Sequence, residues 1–546
     1  MYIKELNLII NYLQSIFCYD GESNMKLQSK SKIINLIILG IIFTISPLIS
    51  NNFNFQLDDS DLSSYNRDEM NSKNEDLKIS ATSGIIEIIG NSEWVDFKNA
   101  GRCTGQGTYS DPYIIEDLEI DAEGSGSCIR IAISDVYFKI ENCTVYDTLD
   151  RRYPSYSGIN LYNVVNAKLI NNTVFDNYQG ISLYYSYNNT ISGNTAHNNY
   201  FHGIKLENSY NNTVLGNIAN QNHQGIYLDN SANNTVLGNT VNQNYQGIYL
   251  DNSTNNAISG NNATRNRWGL NLNNSAFNVI WGNTANNNSE SGIFLYSGGN
   301  NVIWGNIMSE CGLQVSSRFL NPPNIGDLTS NNVDSTNLIN GKSLYYYTNE
   351  INLGSSNFTN AGQVFLINCV DCLISNLNTS YCYSGIALYY CNNNILSGNT
   401  ASNNEYGIYL STSHGNDILG NNVYQNYGGI YLGGSDNNDI TENSASFNEY
   451  GISLMYSDLN HVTTNTISNN TVGIHIMSLT ERLSTHNEIS NNIFSGNGED
   501  IQESFMDIDT FLYINGFSIL ILGCAITLSI VLILWKMKYK RVLIPS

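Results

Sequence analysis

The stretch "QGIYLDNSANNTVLGNTVNQN" (224–244) is followed at 246–266 by "QGIYLDNSTNNAISGNNATRN". The Gly-Ile-x-Leu glycine of these copies recurs at Gly158, Gly180, Gly203, Gly225, Gly247, Gly269 and Gly292, and again at Gly385, Gly407, Gly429, Gly451 and Gly473. Repeats of about 22 residues signal a solenoid. A leucine-rich repeat shares the length, but its L-x-x-L-x-L run is missing. Short alternating strands separated by Asn and Gly predict an all-β solenoid instead. Ile226 and Leu228, one and three residues after their glycine, point inward. Coils stack about 4.8 Å apart, and roughly fourteen of them would make a rod about 70 Å long.

Asparagines keep the same period. One set runs Asn172, Asn194, Asn217, Asn239, Asn261, Asn283 and Asn306, and a second lies five residues on, from Asn177 to Asn288. Both sets return in the second series, from Asn399 and Asn404. The expectation is a corner residue that adopts a left-handed conformation and hydrogen-bonds its stacked neighbour.

Gly-Ile-x-Leu followed by "NNTVLGNT" resembles the repeat of NosD-like proteins and of carbohydrate-binding and sugar-hydrolysis modules. "GQGTYSDPYIIEDLEIDAEGSGSCIRI" (105–131) is similar to the opening segment of archaeal NosD-like surface proteins. "LINGKSLYYYTNE" (338–350) and "AGQVFLINCVDCLISNLN" (361–378) are similar to their mid-chain insertion. The resemblance covers about residues 85–505 and implies a right-handed parallel β-helix. It also raises copper handling, because the family's namesake assists copper-site assembly in an exported reductase. Seven histidines give that reading few ligands. His202 and His223 fall on neighbouring coils, while His475 and Met477 share one strand as a soft pair.

The organisation read from the sequence has seven segments. Residues 1–50 hold a basic run, "KLQSKSK" (26–32), and an apolar run to Ser50, the layout of a secretory signal or signal anchor starting at Met25. A polar linker (51–80) precedes the first β-helix segment (81–306), a non-repeating insertion (307–361) and the second segment (362–505). Residues 512–535 form an apolar stretch long enough to span a bilayer as one helix, ahead of a basic tail, 536–546. Positive flanks stay in the cytoplasm, so the solenoid is expected outside the cell.

Charge narrows the partners. Twenty-four Lys and Arg stand against 47 Asp and Glu, a formal charge of −23, which repels phosphate backbones and argues against nucleic acid. Eight cysteines lie between the two apolar ends. Cys369 and Cys391, 22 residues apart, should stack at one position within disulfide reach. Cys369-x-x-Cys372 lacks a second pair or a nearby His to complete a zinc set. Twelve Asn-x-Ser/Thr sequons, Asn211 and Asn233 among them, allow glycosylation on an outward-facing chain.

A solenoid turns one repeat position into a column. Four residues after each glycine stand Tyr162, Tyr184, Glu207, Asp229, Asp251, Asn273 and Tyr296; two residues after it, Lys205, Tyr227 and Tyr249. These acids, amides and rings form an outward strip suited to sugars, in which rings stack on Tyr and hydroxyls bridge carboxylates. The partner expected is therefore a cell-envelope polysaccharide or glycan, with a purely structural stalk at the cell surface as the companion reading. The trio Glu207, Asp229 and Asp251 could equally hold calcium. Carboxyls about 5 or 10 Å apart also bracket the geometries of glycoside hydrolysis, so a polysaccharide hydrolase or lyase is a further alternative. Each acid also opens an acid-Asn-Ser corner, ordinary turn chemistry. The second series has no such column: Tyr389, Ser411, Gly433, Met455 and Met477 occupy it, which places any site in the first half.

Overall fold

In the computed structural model, residues 81–148, 156–316, 323–478 and 486–505 are described. The N-terminal signal, the linker 51–80, the span 512–535 and the basic tail all lie outside them. Among the described residues no helix is long and apolar enough to cross a membrane.

The chain is a parallel β-solenoid with three strands per coil. In the first half the long strands form a ten-stranded sheet from Ile86–Ile89 to Leu313–Ser316, passing through Gln224–Asp229 and Gln246–Asp251. A second sheet of ten runs from Tyr113–Glu116 to Asn332–Val333. The third begins as five strands ending at Thr195–His197, and single bridges carry it on through Ile218, Thr240, Asn262 and Thr284 to Ile307. The register is the predicted one, with Ile226 opposite Ile248 and Leu228 opposite Leu250. These inward columns are essentially sealed from solvent.

Ten coils in the first half and six in the second make about sixteen, more than the repeat count suggests. The first two carry no signature glycine. Ile129 pairs with Ile159, so Cys128 stands where the next coil has Gly158. The glycine column exists for packing: a Cβ on Gly180 would lie 2.4 Å from the Gly203 carbonyl oxygen of the following coil. The helix Asn91–Asn99 accompanies the opening coils, with Trp94 stacked on Tyr113 at 5.0 Å and its indole N–H donating to Ser134 Oγ at 3.0 Å.

Corner roles are divided more finely than the sequence suggested. The left-handed residue is the one before each ladder asparagine, such as Asn211, Gln221 or Asn233, each with φ near 57°. The ladder residue itself faces inward. Asn217 Nδ2 donates to Asn239 Oδ1 at 2.9 Å and to the Ile191 carbonyl at 2.9 Å, while its backbone N–H reaches Asn239 Oδ1 at 2.8 Å. Two further ladders went unread in the sequence. One runs through Asn189, Asn212, Asn234, Asn256, Asn278 and Asn301, the other through Ser186, Ser209, Ser231 and Ser253.

At the junction the repeat changes face. Ile307–Met308, from the third sheet of the first half, pairs with Leu338–Ile339, which turns in a hairpin into Lys342–Thr348. That strand starts the Gly-Ile-x-Leu sheet of the second half, running to Glu499–Phe505. The long-strand sheet of the second half thus grows from the third sheet of the first. Gln363 seals the joint: its Oε1 accepts from the Leu313 N–H at 2.9 Å and its Nε2 donates to the Leu313 carbonyl at 2.8 Å. Tyr389 Oη donates to the Val315 carbonyl at 3.1 Å. The outer face of the second long-strand sheet therefore abuts the last long strand of the first.

Candidate functional site

The columns expected from the repeat exist. Glu207 lies opposite Asp229, Asp229 opposite Asp251 and Asp251 opposite Asn273. Lys205, Tyr227, Tyr249 and Asn271 stand in register two positions away on the same outward face. These side chains are largely engaged with one another. Lys205 Nζ pairs with Glu207 Oε2 at 2.7 Å and sits between the rings of Tyr184 and Tyr227, at 5.3 and 5.6 Å. Asn273 Nδ2 donates to Asp251 Oδ1 at 2.9 Å and to Tyr249 Oη at 3.1 Å. Asn230 Nδ2 donates to Asp229 Oδ1 at 2.6 Å.

One expectation needs correction. The rings of Tyr227 and Tyr249 lie 5.0 Å apart and 7° from parallel, and His202 covers Tyr227 at 4.9 Å. Their faces are taken up by neighbours along the column, so the strip presents phenol edges and carboxylates rather than stacking platforms. Among the described residues no group of three or more His, Cys, Asp and Glu side chains is placed to hold a metal ion. Lys205 neutralises Glu207, and an amide occupies Asp251.

Burial and like charge shape the protonation of the strip. Desolvation, then Glu207 and Asp251, raises the Asp229 carboxyl, against a lowering by Lys205. Burial first and Asp251 next push the Tyr249 phenol up to about 12, and burial with Asp229 and Asp251 raises Tyr227 as well. Both phenols therefore stay protonated hydrogen-bond donors at neutral pH.

The soft-ligand candidates separate. His475 Nε2 pairs with Ser504 Oγ at 2.9 Å, and Met477 Sδ accepts from Tyr456 Oη at 3.5 Å. His202 is held neutral by burial, with Lys205 and His223 adding to the effect, and burial also lowers His223. Gln224 beside both rings opposes the lowering, and neither Nδ1 makes a well-formed hydrogen bond among the described residues.

Cys369 and Cys391 do stack at one corner, as two free thiols. They continue the serine ladder: the Cys369 N–H donates to Cys391 Sγ at 3.3 Å, and the Cys391 N–H to Ser413 Oγ at 3.0 Å. Cys372 and Cys382 begin asparagine ladders by donating their N–H groups to Asn394 and Asn404, each at 3.0 Å. The thiols stand in for small ladder side chains.

Sequence reasoning missed the polar atoms left without partners. Ten buried side-chain atoms are unpartnered among the described residues. Six belong to residues of the first long-strand sheet, His202, Gln224, Trp268, Asn271, Ser291 and Gln314, and His223 directly precedes one of its strands. Native proteins pair almost every such atom, with protein, water or ligand. The sequence signal was a break in the repeat, where Trp268 and Ser291 replace Gln246 in one column and Asn271 replaces Tyr249 in the next. The second half also has an aromatic face that the sequence reading passed over. Tyr409 stacks on Tyr431 at 5.3 Å, and Tyr406 lies 4.8 Å from Tyr431.

Fold and face together define a parallel β-solenoid with a polar, aromatic strip along the outward side of one sheet. The family described as "Periplasmic copper-binding protein (NosD)" matches residues 138–318 and 325–508, and the chain belongs to that family. No curated protein sequence matches it. Among solved structures it is similar to the Streptococcus pneumoniae surface protein and adhesin PfbA (11% identity, 72% of this chain, 91% of that one, TM-score 0.31). It is similar also to pectate lyase Pel9A (14%, 53% and 79%, TM-score 0.26). A third is the Dettilon tailspike protein (12%, 76% and 61%, TM-score 0.24). The chain spans less than two thirds of that tailspike, and 43% of the enzymatically active domain of bacteriophage CBA120 tailspike protein 2. At these identities the likeness is one of fold.

Proposed function

We propose that the chain is a glycan-binding solenoid of the cell envelope, exported by its N-terminal segment and held to the membrane by residues 512–535. The observation that carries this reading is the concentration of unpartnered buried polar atoms on one outward face. A polyhydroxyl ligand supplies both donors and acceptors in a row, as such a face requires. The half-buried Tyr227 and Tyr249 phenols and Asp229 and Asp251 carboxylates extend the same surface. The internal pairing of the acid column favours binding over cleavage, because a general acid and its partner must be free to meet substrate. The test is retention of the full chain on a panel of neutral and acidic polysaccharides, compared with Tyr227→Ala/Tyr249→Ala. Retention that falls in the variant supports the reading; no retention on any polymer overturns it.

A second reading has its own observation. The unpartnered Nδ1 atoms of His202 and His223 fit a two-coordinate soft cation such as Cu(I), in keeping with the family's description. An anaerobic Cu(I) titration against a competing chelator would show one site in the parent and none in His202→Gln/His223→Gln. Equal uptake by both proteins would rule these histidines out.

A further inference from the structure

Four of the unpartnered atoms lie together at the junction end of the first long-strand sheet. Trp268 pairs across strands with Ser291, and Asn271 with Phe294, which in turn pairs with Gln314. Trp268 Nε1, Asn271 Oδ1, Ser291 Oγ and Gln314 Oε1 have no partner among the described residues. Asn271, Ser291 and Gln314 are each more than nine-tenths buried, at 5%, 0% and 6% exposure. The Trp268 ring lies 6.0 Å from that of Phe294, two residues after its own glycine, so the positions one before and two after the glycine meet on the outward face despite their odd spacing.

This end of the sheet is an inner corner. The Leu313–Ser316 strand beside Phe294 is the one sealed by Gln363 and Tyr389 from the second half. The outward tyrosines of that half stand across from it, Tyr383 packing edge-on against Tyr406 at 5.6 Å. Glu405, on the second half, and Glu290, on the first, are close enough for each other's charge to be felt, and burial with Glu290 raises the Glu405 carboxyl. Arg267 answers Glu290 at 3.0 Å and lies 4.4 Å from the Trp268 ring centre. On the ring's other flank is Phe294, at 6.0 Å.

The chemistry selects a ligand class. Two amide oxygens accept from hydroxyls, an indole N–H donates to one, and Ser291 can do either. Phe294 and Trp268 supply apolar walls of the sort that receive the C–H face of a sugar ring, and Tyr383 reaches Gln314 from the second half. Carboxylates on both sides of the corner, one without a basic partner in close contact, disfavour an anionic ligand. Resting on the glycan reading above, we infer that this corner, built from both halves of the solenoid, is a subsite for a neutral sugar unit of the bound glycan. Trp268 is itself only half-buried, so the corner reaches the surface at its ring.

The experiment uses the full chain. Neutral hexose oligomers and uronate oligomers are titrated separately while tryptophan fluorescence and binding heat are followed, with Trp268→Phe, Asn271→Leu, Gln314→Leu and Tyr227→Ala/Tyr249→Ala in parallel. The expected result is binding of a neutral oligomer with a fluorescence change that Trp268→Phe abolishes. Asn271→Leu and Gln314→Leu should each weaken binding about tenfold; Asn271→Leu should melt no earlier than the parent, since it removes an unpaired polar atom, whereas Gln314→Leu also loses the hydrogen bond to Tyr383. Unchanged affinity in all three corner variants, with loss only in the double tyrosine variant, overturns the subsite and leaves the glycan reading standing. Earlier melting of the leucine variants with unchanged binding assigns these atoms to ordered water and also overturns it. Preference for uronate oligomers refutes the neutral assignment, and no binding of either oligomer removes both readings.

Discussion

Cys391 Sγ takes the hydrogen bond of the Cys369 amide at the place where, one coil later, Ser413 Oγ takes that of Cys391. The single S–H of Cys391 is shared between the Leu366 and Tyr389 carbonyls, each 3.2 Å from Sγ, as the single O–H of Ser413 is between those of Leu388 and Ser411. The thiol is a ladder rung. Cys391→Ser should therefore unfold within about 1 kcal/mol of the parent, whereas Cys391→Val should cost about 1–3 kcal/mol by orphaning the Cys369 amide. Denaturant titration checks both. A parent that loses several kcal/mol under reductant alone, with Cys391→Ser insensitive to reductant, would reinstate a disulfide.

The split between left-handed and ladder asparagines makes neighbouring residues unequal. Asn239 Oδ1 accepts two hydrogen bonds from Asn217, and its Nδ2 donates to Asn261. Asn239→Leu should destabilise the fold by about 2–4 kcal/mol, because buried groups on both flanking coils lose partners. Asn233→Gly, at a left-handed surface corner with φ 57°, should change stability by less than about 1 kcal/mol. Equal losses in the two variants would contradict the division of roles.

Asp229 gives a pH dependence of known sign. Its carboxyl is raised in the folded chain by burial and by Glu207 and Asp251, so the fold holds the proton more tightly than the unfolded chain does. That stabilisation is fully present below the unfolded value of about 3.9 and is lost as pH rises through the folded value. Asp229→Asn should raise the thermal midpoint at pH 7 and flatten the fall in stability above pH 4. A lower midpoint at pH 7 would mean that the carboxylate is stabilised by its neighbours instead.

The glycine column predicts a steric failure. A Cβ on Gly225 would meet the Gly247 carbonyl oxygen at 2.7 Å and Asn244 Nδ2 at 2.9 Å. Gly225→Ala should force neighbouring coils apart and lower stability by about 2 kcal/mol or more, on the order of a severe overpacking change. A variant that melts with the parent would show that the coil spacing yields easily.

Much of the architecture was legible because a solenoid repeats its constraints. Gly225 and Gly247 recur for a backbone contact, and Ile226 and Leu228 for the core, so spacing alone gave the register. The Asn212 ladder was hidden inside "NNT" triplets, where two adjacent asparagines do different work. The coils before Gly158 were invisible because Cys128 replaces the marker glycine. The change of face at Ile307 depends on a hairpin and on Gln363, neither of which repeats.

For the site, columns were readable and side-chain partners were not. Asp229 and Asp251 follow from register, but the closure of Lys205 onto Glu207 depends on where long side chains settle. The stacking of Tyr227 on Tyr249 likewise hides faces that an extended side chain would have offered. The unpartnered atoms at Trp268, Asn271 and Ser291 came from breaks in the repeat. In a periodic chain, such a departure is the place to seek function.

The central claim is that a glycan lies along the outward face of the first long-strand sheet. Hydroxyl-radical footprinting of the full chain, with and without a saturating neutral oligosaccharide, reads side-chain protection residue by residue. The account predicts protection of Tyr227, Tyr249 and Trp268, with Tyr109, 79% exposed near the start of the solenoid, unchanged. Saccharide-dependent protection confined to another face, or none for any saccharide tried, would contradict it.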